Sequence, residues 1–297
     1  MRAYLDIVEE ILSKGKRKST RTGYDKFTIS GVKFEHDMSD GFPLLTTKKI
    51  NYKNVASELE FFIKGITDKK WLQDRGNPIW NQWCSSDKMP YAPDEETKRR
   101  MAEERELGPI YGWQWRHKGA NYRSYDIDYN GEGEDQLVNL VTTLLSNPDD
   151  TRMIVDAWGT KEERKRMALP PCHYQFQVLV TDGKLDLLWA QRSVDTMLGL
   201  PYNIASYATL LSLLAEHSKF KPGKLVGFLG DTHIYDMPAK EGFMTHVEGA
   251  RLMLSRQTKR LPRLVNARFT SLFDWEYSDA TVESYDFHPF IKMEVAV

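Results

Sequence analysis

Residues 173–195 read HYQFQVLVTDGKLDLLWAQRSVD, and this run carries the clearest fold signal in the chain. Two β-rich stretches, 174–181 and 184–192, meet at an Asp-Gly pair. Because Asp-Gly favours a tight turn between antiparallel strands, the run predicts a β-hairpin. A helical stretch at 204–218 and another β-rich stretch at 224–235 follow, so strands and a helix are predicted in close succession.

The remaining patterns predict an α+β protein in which helices pack on a large mixed β-sheet. Strands and helices do not alternate along the chain as they do in doubly wound parallel folds. The glycine-rich motifs of dinucleotide-binding and P-loop proteins are missing from the sequence, which argues against both classes. The other predicted helices are 1–14, 53–65, 135–146 and 161–167, and the other predicted strands are 26–35, 152–158 and 263–268.

Length, charge and cysteine content limit the possible functions. We expect residues 1–297 to form a single domain with a charged surface insertion near 85–107. A formal net charge of −1 argues against a nucleic acid as the main partner. No apolar run is long enough to span a membrane, so a membrane partner is not expected. Two cysteines, Cys84 and Cys172, indicate neither a disulfide framework nor a metal site, and a cytoplasmic location is the simplest expectation.

Three polar motifs carry the candidate chemistry. Cys172 follows two prolines in LPPCHYQFQ. Considered without its neighbours, a single cysteine of this kind is expected to be a small buried structural residue. In WAQRSVDTMLGLPYNIASY, Asn203 comes just before the predicted helix, in the position of an N-cap. In FLGDTHIY, Asp231, His233 and Tyr235 occupy alternate positions, so a strand would point all three side chains the same way.

These motifs resemble those of the thymidylate synthase family and occur in the same order. The resemblance covers nearly the whole chain, from RTG at Arg21 through DGFPLLTTKK, ASELEFF, IWNQW and LGPIYGWQWR to FHPFIKMEVAV. It implies a thymidylate synthase-like fold whose sheet forms a homodimer interface. It also implies reductive methylation of dUMP to dTMP, with 5,10-methylenetetrahydrofolate donating both the one-carbon unit and the hydride.

The resemblance also assigns catalytic roles. Cys172 would add as a thiolate to carbon 6 of uracil, which makes carbon 5 nucleophilic. Glu58 would organise proton transfer with a pKa raised by its apolar neighbours, whereas Glu60 would face elsewhere and be ordinary. Tyr111 would help to remove the proton from carbon 5. The expected catalytic residues are Cys172, Glu58, Tyr111, Arg192 and Asp195.

The expected dUMP site combines a phosphate clamp with a carboxamide. Arginines suit the phosphate because a guanidinium is always charged and binds in a bidentate way. Arg152 would come from the partner subunit, and Thr151 replaces the second arginine of that pair. Asn203 would bind uracil through adjacent donor and acceptor atoms, which favours dUMP over dCMP. The expected dUMP-binding residues are Arg21, Arg152, Arg192, Ser193 and Asn203, with His233 and Tyr235 at the deoxyribose hydroxyl.

The folate is expected to lie between apolar walls and a few polar anchors. Trp80 would pack on the pterin region, and Asp195 would bind the pterin ring. The segment MEVAV would close over the ligands and exclude water. The expected folate-binding residues are Lys48, Asn51, Ile79, Trp80, Asp195, Leu198, Gly199, Tyr202 and Ala296, and Asn51 stands where the family commonly has histidine.

Two other functions stay open at this point. A dUMP hydroxymethylase would share the covalent adduct but would let water add in place of hydride. Trp80, Leu169 and the apolar tail favour a dry site and therefore the synthase, whereas Thr151 and the unusual DMPAKEGF keep the alternative open. The basic run KGKRKSTR suggests a third hypothesis, a non-catalytic RNA-binding protein. Lysine and arginine at this place are also explained by the end of the first helix, because they complement the dipole at a helix C-terminus.

Overall fold

The computed structural model describes residues 1–20, 23–92 and 94–296. The fold is α+β, as expected. Its helices in these ranges are α1 (Arg2–Lys14), α2 (Tyr52–Ile63), α3 (Lys69–Gln73), α4 (Glu95–Glu103), α5 (Tyr111–Arg116), α6 (Gln136–Ser146), α7 (Lys161–Arg166), α8 (Gly199–Ser218) and α9 (His246–Ser255). Its strands there are β1 (Lys16–Ser19), β2 (Asp25–Asp37), β3 (Ile154–Asp156), β4 (His173–Thr181), β5 (Lys184–Asp195), β6 (Lys221–Asp236), β7 (Arg263–Asn266) and β8 (Ala280–Glu283).

A mixed sheet organises the molecule. Within the described ranges, six strands pair in the order β1-β2-β6-β5-β4-β3, and β7 pairs separately with β8. Neighbouring strands of the large sheet are antiparallel except β5 and β6, which are parallel and are connected through α8. The predicted hairpin is confirmed: β4 and β5 join through Asp182 and Gly183, whose φ angles of 51° and 71° suit a tight hairpin turn.

The core lies between α8 and one face of this sheet. α8 is buried along most of its length. On the sheet, inward residues of β5 such as Trp189 are fully buried, and the Trp189 ring stacks on Tyr207 of α8 at a centroid distance of 5.4 Å. The other face of the sheet carries Phe228, which is 52% exposed. The buried face therefore fixes β4, β5 and β6 relative to α8, and the site is built where these elements end.

Several local predictions need correction. The helix predicted from residue 204 begins at Gly199, so Asn203 lies inside α8 and is not an N-cap. Pro201 allows this because proline is tolerated in the first turn of a helix. The charged segment near 85–107 contains α4, and Met101 of this helix is buried. The patterns did not predict α3, α5, α9, β1 and β8, and all of these except α9 have six residues or fewer.

No helix in the described part of the chain is long and apolar enough to cross a membrane.

Candidate active site

Cys172 directly precedes β4 and lies beside Arg192, close to the end of β5. The Arg192 backbone N–H donates to the Cys172 carbonyl at 2.8 Å. The Arg192 guanidinium donates to the carbonyls of Pro170 and Pro171 at 2.8 and 2.9 Å, and one of its nitrogens lies 4.0 Å from Cys172 Sγ. The two prolines thus hold a permanent positive charge beside a partly exposed thiol. Such a cation stabilises the thiolate, which is the nucleophilic form.

Neutral aromatic groups surround the other side of Cys172. The Cys172 backbone N–H donates to the Tyr111 hydroxyl at 2.8 Å. Burial, with a smaller contribution from Cys172, raises the pKa of Tyr111 well above its usual value, so the phenol keeps its proton at neutral pH. Tyr111 stacks on His173 at 4.4 Å. Burial lowers the pKa of His173 to about 3, so this imidazole is neutral. His173 could hardly be singled out from sequence, because its only signal is its place next to Cys172 in LPPCH.

Glu58 of α2 is a partly exposed carboxyl with a raised pKa. Trp80 Nε1–H donates to Glu58 Oε1 at 2.8 Å. Burial raises the pKa of Glu58 to about 7, and the hydrogen bond from Trp80 opposes this rise. The expected raised pKa thus agrees with the structure, although a catalytic role for Glu58 is a separate matter.

Glu60, on the same helix, faces a different environment but is not an ordinary surface residue. It is 1% exposed, accepts from Lys64 Nζ at 2.5 Å and accepts the Tyr277 backbone N–H at 2.8 Å. The expectation of an ordinary residue is wrong because residues 277–279 form a turn that covers this side of α2.

A hydrogen-bonded relay fixes the orientation of the Asn203 carboxamide. Trp189 Nε1–H can only donate, and it donates to Gln191 Oε1 at 3.2 Å. Gln191 therefore directs its amide nitrogen to Asn203 and donates to Oδ1 at 3.0 Å. A carboxamide oxygen has two lone pairs, so Asn203 Oδ1 can accept a second hydrogen bond while Nδ2 donates. An adjacent acceptor and donor of this kind are complementary to N3–H and O4 of uracil.

His233 and Tyr235 share one face of β6 with Asp231, as the alternation predicts. The His233 and Tyr235 rings meet edge to face at 4.9 Å. His233 is 1% exposed, and its Nε2 has no hydrogen-bond partner among the residues described. Ser193 lies beside this face, since its backbone pairs with Asp231 across β5 and β6. Arg21, the other expected phosphate ligand, lies outside the described residues.

Arg152 points away from its own subunit's interior. Its side chain is 86% exposed and forms a two-pronged ion pair with Asp150, with N–O distances of 2.9 and 2.6 Å. Thr151 contributes its backbone carbonyl, which accepts from Gln177. This exposure leaves the guanidinium accessible from outside the subunit.

The residues expected at the folate fall into two groups. Asp195 Oδ1 accepts the backbone N–H groups of Met197 and Leu198, both at 3.0 Å, and so holds the turn that leads into α8. Lys48 is only 2% exposed and donates to the Met197 carbonyl, so its ammonium is inside the protein. Burial lowers the pKa of Lys48 to about 8. Partly exposed side chains near this turn and Trp80 include Ile79, Leu198 and Tyr202, and Gly199 is partly exposed as well.

Asn51 lines a surface cavity of about 470 Å³. Lys49 and Lys53 supply positive charge there, and Tyr277 and Tyr285 supply aromatic walls. An apolar and basic cavity of this kind suits an anionic, partly aromatic ligand.

The segment that contains Ala296 is held by α9. Met293 is buried against Gly249, where an added Cβ would come within 2.7 Å of the Met293 sulfur. His246 Nε2–H donates to the Glu294 carbonyl at 2.7 Å. Ala296 itself is partly exposed.

The 85–107 segment contacts the approach to Cys172. The Ser85 hydroxyl donates to the Arg166 carbonyl at 2.6 Å, and Arg166 Nε donates to Asp87 at 2.7 Å. The Ala168 backbone N–H donates to the Leu107 carbonyl at 2.8 Å. Both ends of the segment thus hold the chain a few residues before LPPC.

A guanidinium held beside a partly exposed thiol is an arrangement that suits an enzyme with a nucleophilic cysteine. A sequence model described as thymidylate synthase matches residues 2–297. The human protein named thymidylate synthase is 40% identical over 295 residues, which cover 99% of this chain and 90% of that protein. The chain belongs to the thymidylate synthase family.

Membership of this family makes the protein a methyltransferase, as the motifs predict. The comparisons do not favour the hydroxymethylase alternative. The family implies a methylenetetrahydrofolate co-substrate. Among the described residues, no three His, Cys, Asp or Glu side chains are grouped in a way that could hold a metal ion.

Proposed function

We propose that the protein converts dUMP to dTMP with 5,10-methylenetetrahydrofolate, and that Cys172 is the nucleophile. The main support for this role of Cys172 is the position of the Arg192 guanidinium, which two proline carbonyls hold 4.0 Å from Cys172 Sγ. In this mechanism the Cys172 thiolate adds to carbon 6, and carbon 5 then attacks the methylene carbon of the folate. Loss of the proton from carbon 5 and cleavage of the bond between the methylene carbon and the folate nitrogen then leave an exocyclic methylene on the pyrimidine and free tetrahydrofolate. Hydride from the tetrahydrofolate completes the methyl group and produces dihydrofolate, and the Cys172 thiolate leaves carbon 6 to release dTMP.

Proton transfer and base recognition fall to neutral groups in this proposal. Glu58, with a pKa of about 7, can both accept and donate a proton near physiological pH. Tyr111 stays protonated, so it acts on the carbon 5 proton as a hydrogen-bonding group and not as a phenolate base. Asn203 selects uracil because its orientation is fixed by Gln191.

The nucleotide's other groups would meet the β5 and β6 ends. Arg21, Arg192 and Ser193 would bind the phosphate, together with Arg152 of the partner subunit. His233 and Tyr235 would bind the sugar hydroxyl. The orphaned Nε2 of the buried His233 supports this assignment, because buried polar atoms normally have partners.

We assign the folate to the space between Trp80 and the start of α8. Ile79 and Trp80 would cover the pterin region, and Asp195, Leu198, Gly199 and Tyr202 would line the same space. Asn51 would face the folate tail, whereas the buried Lys48 would support the site indirectly, through its bond to the Met197 carbonyl in the turn before α8. Residues 291–296 would cover the ligands, with Ala296 in contact, which keeps water away from the methylene intermediate.

The proposed homodimer forms through the uncovered face of the sheet. Phe228 of β6 is 52% exposed there, and Ile154 of β3 is 40% exposed. Large exposed apolar side chains on a sheet face mark an interaction surface. Pairing two such faces would bury these side chains and would bring the exposed Arg152 of one subunit toward its partner's phosphate site. Cys84 and Cys172 are not joined by a disulfide, in keeping with the proposed cytoplasmic location.

A covalent trapping experiment tests the central role of Cys172. With 5-fluoro-dUMP and methylenetetrahydrofolate, the wild-type protein is expected to form a stable adduct visible by mass spectrometry, because fluorine cannot leave as a proton does. Cys172→Ala should lose the adduct and turnover but still bind dUMP. Cys84→Ala is the matched control, since Cys84 is buried and its sulfur lies against the Met89 carbonyl, and it should form the adduct normally. An adduct in Cys172→Ala would refute the assignment.

A further inference from the structure

A buried lysine lies next to the proposed sugar site, on the strand that pairs with β6. Lys26 of β2 is 7% exposed, and its Nζ lies 2.7 Å from Asp231 Oδ2. The Thr28 hydroxyl donates to the other carboxylate oxygen of Asp231. The register of β2 and β6 puts Thr28 opposite His233, so the three residues and His233 form one cluster on a single sheet face. A buried ammonium is costly to desolvate, and its ion pair with Asp231 offsets this cost.

The cluster determines which nitrogen of His233 carries a proton. His233 Nδ1 lies 3.0 Å from the Asp231 backbone carbonyl, and a carbonyl can only accept. Nδ1 is therefore the protonated nitrogen, and the Lys26 ammonium, 3.5 Å away, is a more distant neighbour. In a neutral imidazole with Nδ1 protonated, Nε2 carries a lone pair and accepts hydrogen bonds. That lone pair is the natural partner of a hydroxyl group.

We propose that Lys26 is a positioning residue for the nucleotide sugar, because its pairing with Asp231 keeps His233 neutral and its Nε2 an acceptor. This inference rests on the proposed binding of the dUMP 3′-hydroxyl by His233.

The physical reason lies in the charge of Asp231. The carboxylate Oδ1 of Asp231 lies 3.6 Å from His233 Nδ1. With Lys26 present, the carboxylate already has a cation as a partner. Without Lys26, an imidazolium at His233 becomes the nearest replacement, and Nε2 then carries a hydrogen and can no longer accept from the sugar.

The other groups around His233 do not supply that charge. The Tyr235 ring, 4.9 Å away, packs against the imidazole by its edge. Asp195 is the register partner of His233 on β5, but its Oδ1 accepts the backbone N–H groups of Met197 and Leu198. Asp231 and Lys26 are therefore the charged pair whose balance sets the state of the imidazole.

The test compares dUMP with 2′,3′-dideoxy-UMP, which lacks only the 3′-hydroxyl. The wild-type protein is expected to prefer dUMP in kcat/KM by roughly 5- to 150-fold, the range for one hydrogen bond to a buried partner. Lys26→Met should lower this preference at least fivefold, through a loss on dUMP alone. Lys18→Met is the matched control, since Lys18 is exposed and lies opposite Lys26 in the β1–β2 register. It should behave as the wild type does.

Nitrogen NMR of the His233 ring gives a readout that a general structural defect would not produce. At neutral pH the wild-type ring should show one protonated nitrogen, Nδ1, and Lys26→Met should show two. The double variant Lys26→Met/Asp231→Asn removes both charges, so it should return the ring to its neutral form and restore the preference for dUMP. If Lys26→Met alone fails to fold, the double variant still allows the preference for dUMP and the state of the ring to be measured.

The outcomes separate the inference from the function on which it rests. A wild-type protein without any preference for dUMP would refute sugar binding by His233. A preference that persists in Lys26→Met would overturn the role of Lys26 while leaving His233 intact. An equal loss on both nucleotides in the single and the double variant would make Lys26 merely structural and would also overturn the inference.

Discussion

Glu58→Gln is expected to make the protein more stable at alkaline pH while it removes activity. Glutamine keeps the shape of the side chain and can still accept the hydrogen bond from Trp80 Nε1. It cannot ionise, however, and the raised pKa of Glu58 means that the folded protein disfavours the ionised carboxylate. The Glu58 carboxyl is thus the group that accepts the proton in catalysis and also the group whose ionisation destabilises the fold.

The size of the effect follows from the pKa. The folded protein raises the pKa of Glu58 from 4.5 to about 7, and one pH unit is worth about 1.4 kcal/mol. A carboxyl with a raised pKa contributes stability below its unfolded pKa and loses it as the pH rises through the folded value. Relative to wild type, Glu58→Gln should therefore gain about 2 kcal/mol in free energy of unfolding between about pH 5.5 and pH 8.5.

Urea unfolding at these two pH values measures the difference, and turnover of dUMP measures the loss of activity. Glu60→Gln is the matched control on the same helix. It weakens the contacts to Lys64 and Tyr277, so it should destabilise the fold at both pH values. A Glu58→Gln variant whose stability relative to wild type does not rise with pH would refute the raised pKa and the reasoning built on it.

Three further changes test other parts of the site. Asn203→Asp removes the amide donor, so preference should move toward dCMP by roughly tenfold in kcat/KM, and an unchanged preference would contradict the specificity argument. Gly249→Ala places a methyl group within 2.7 Å of the Met293 sulfur, so the KM for folate should rise several-fold while α9 stays folded; an unchanged KM would contradict a role for residues 291–296 in folate binding. Arg166→Met removes the bonds to Asp87 and the Tyr122 carbonyl, and urea unfolding should show a loss of about 1–2 kcal/mol; wild-type stability would contradict this clamp.

The features that could be predicted from sequence are those with a local cause. The β4–β5 hairpin was predictable because an Asp-Gly pair accepts the positive φ angles of its turn. The common face of Asp231, His233 and Tyr235 follows from strand alternation alone. The raised pKa of Glu58 was predictable because its neighbours in ASELEFF are largely apolar.

The features that escaped prediction depend on residues far apart in the chain. Glu60 is buried by a turn more than two hundred positions away, which no helical pattern around residue 60 contains. Asn203 is a poor N-cap because its partner is Gln191 on the neighbouring strand, not the backbone of its own helix. β1 consists of exposed residues, KRKS, so it lacks the alternation by which a strand is recognised. β1 is a strand because its backbone pairs with β2, and its own side chains do not predict this.

The distribution of charge around Cys172 explains how its thiol can be reactive toward an uncharged pyrimidine ring. Tyr111 keeps its proton and His173 stays neutral, because burial opposes ionisation of each. Glu58, with a pKa near 7, is shared between its two forms. Arg192, by contrast, cannot lose its charge, and the proline carbonyls fix it on one side of the sulfur. A thiolate at Cys172 therefore meets a lasting positive charge from Arg192, while Tyr111 and His173 are neutral and Glu58 is only partly ionised. This environment stabilises the nucleophile without repelling a neutral pyrimidine.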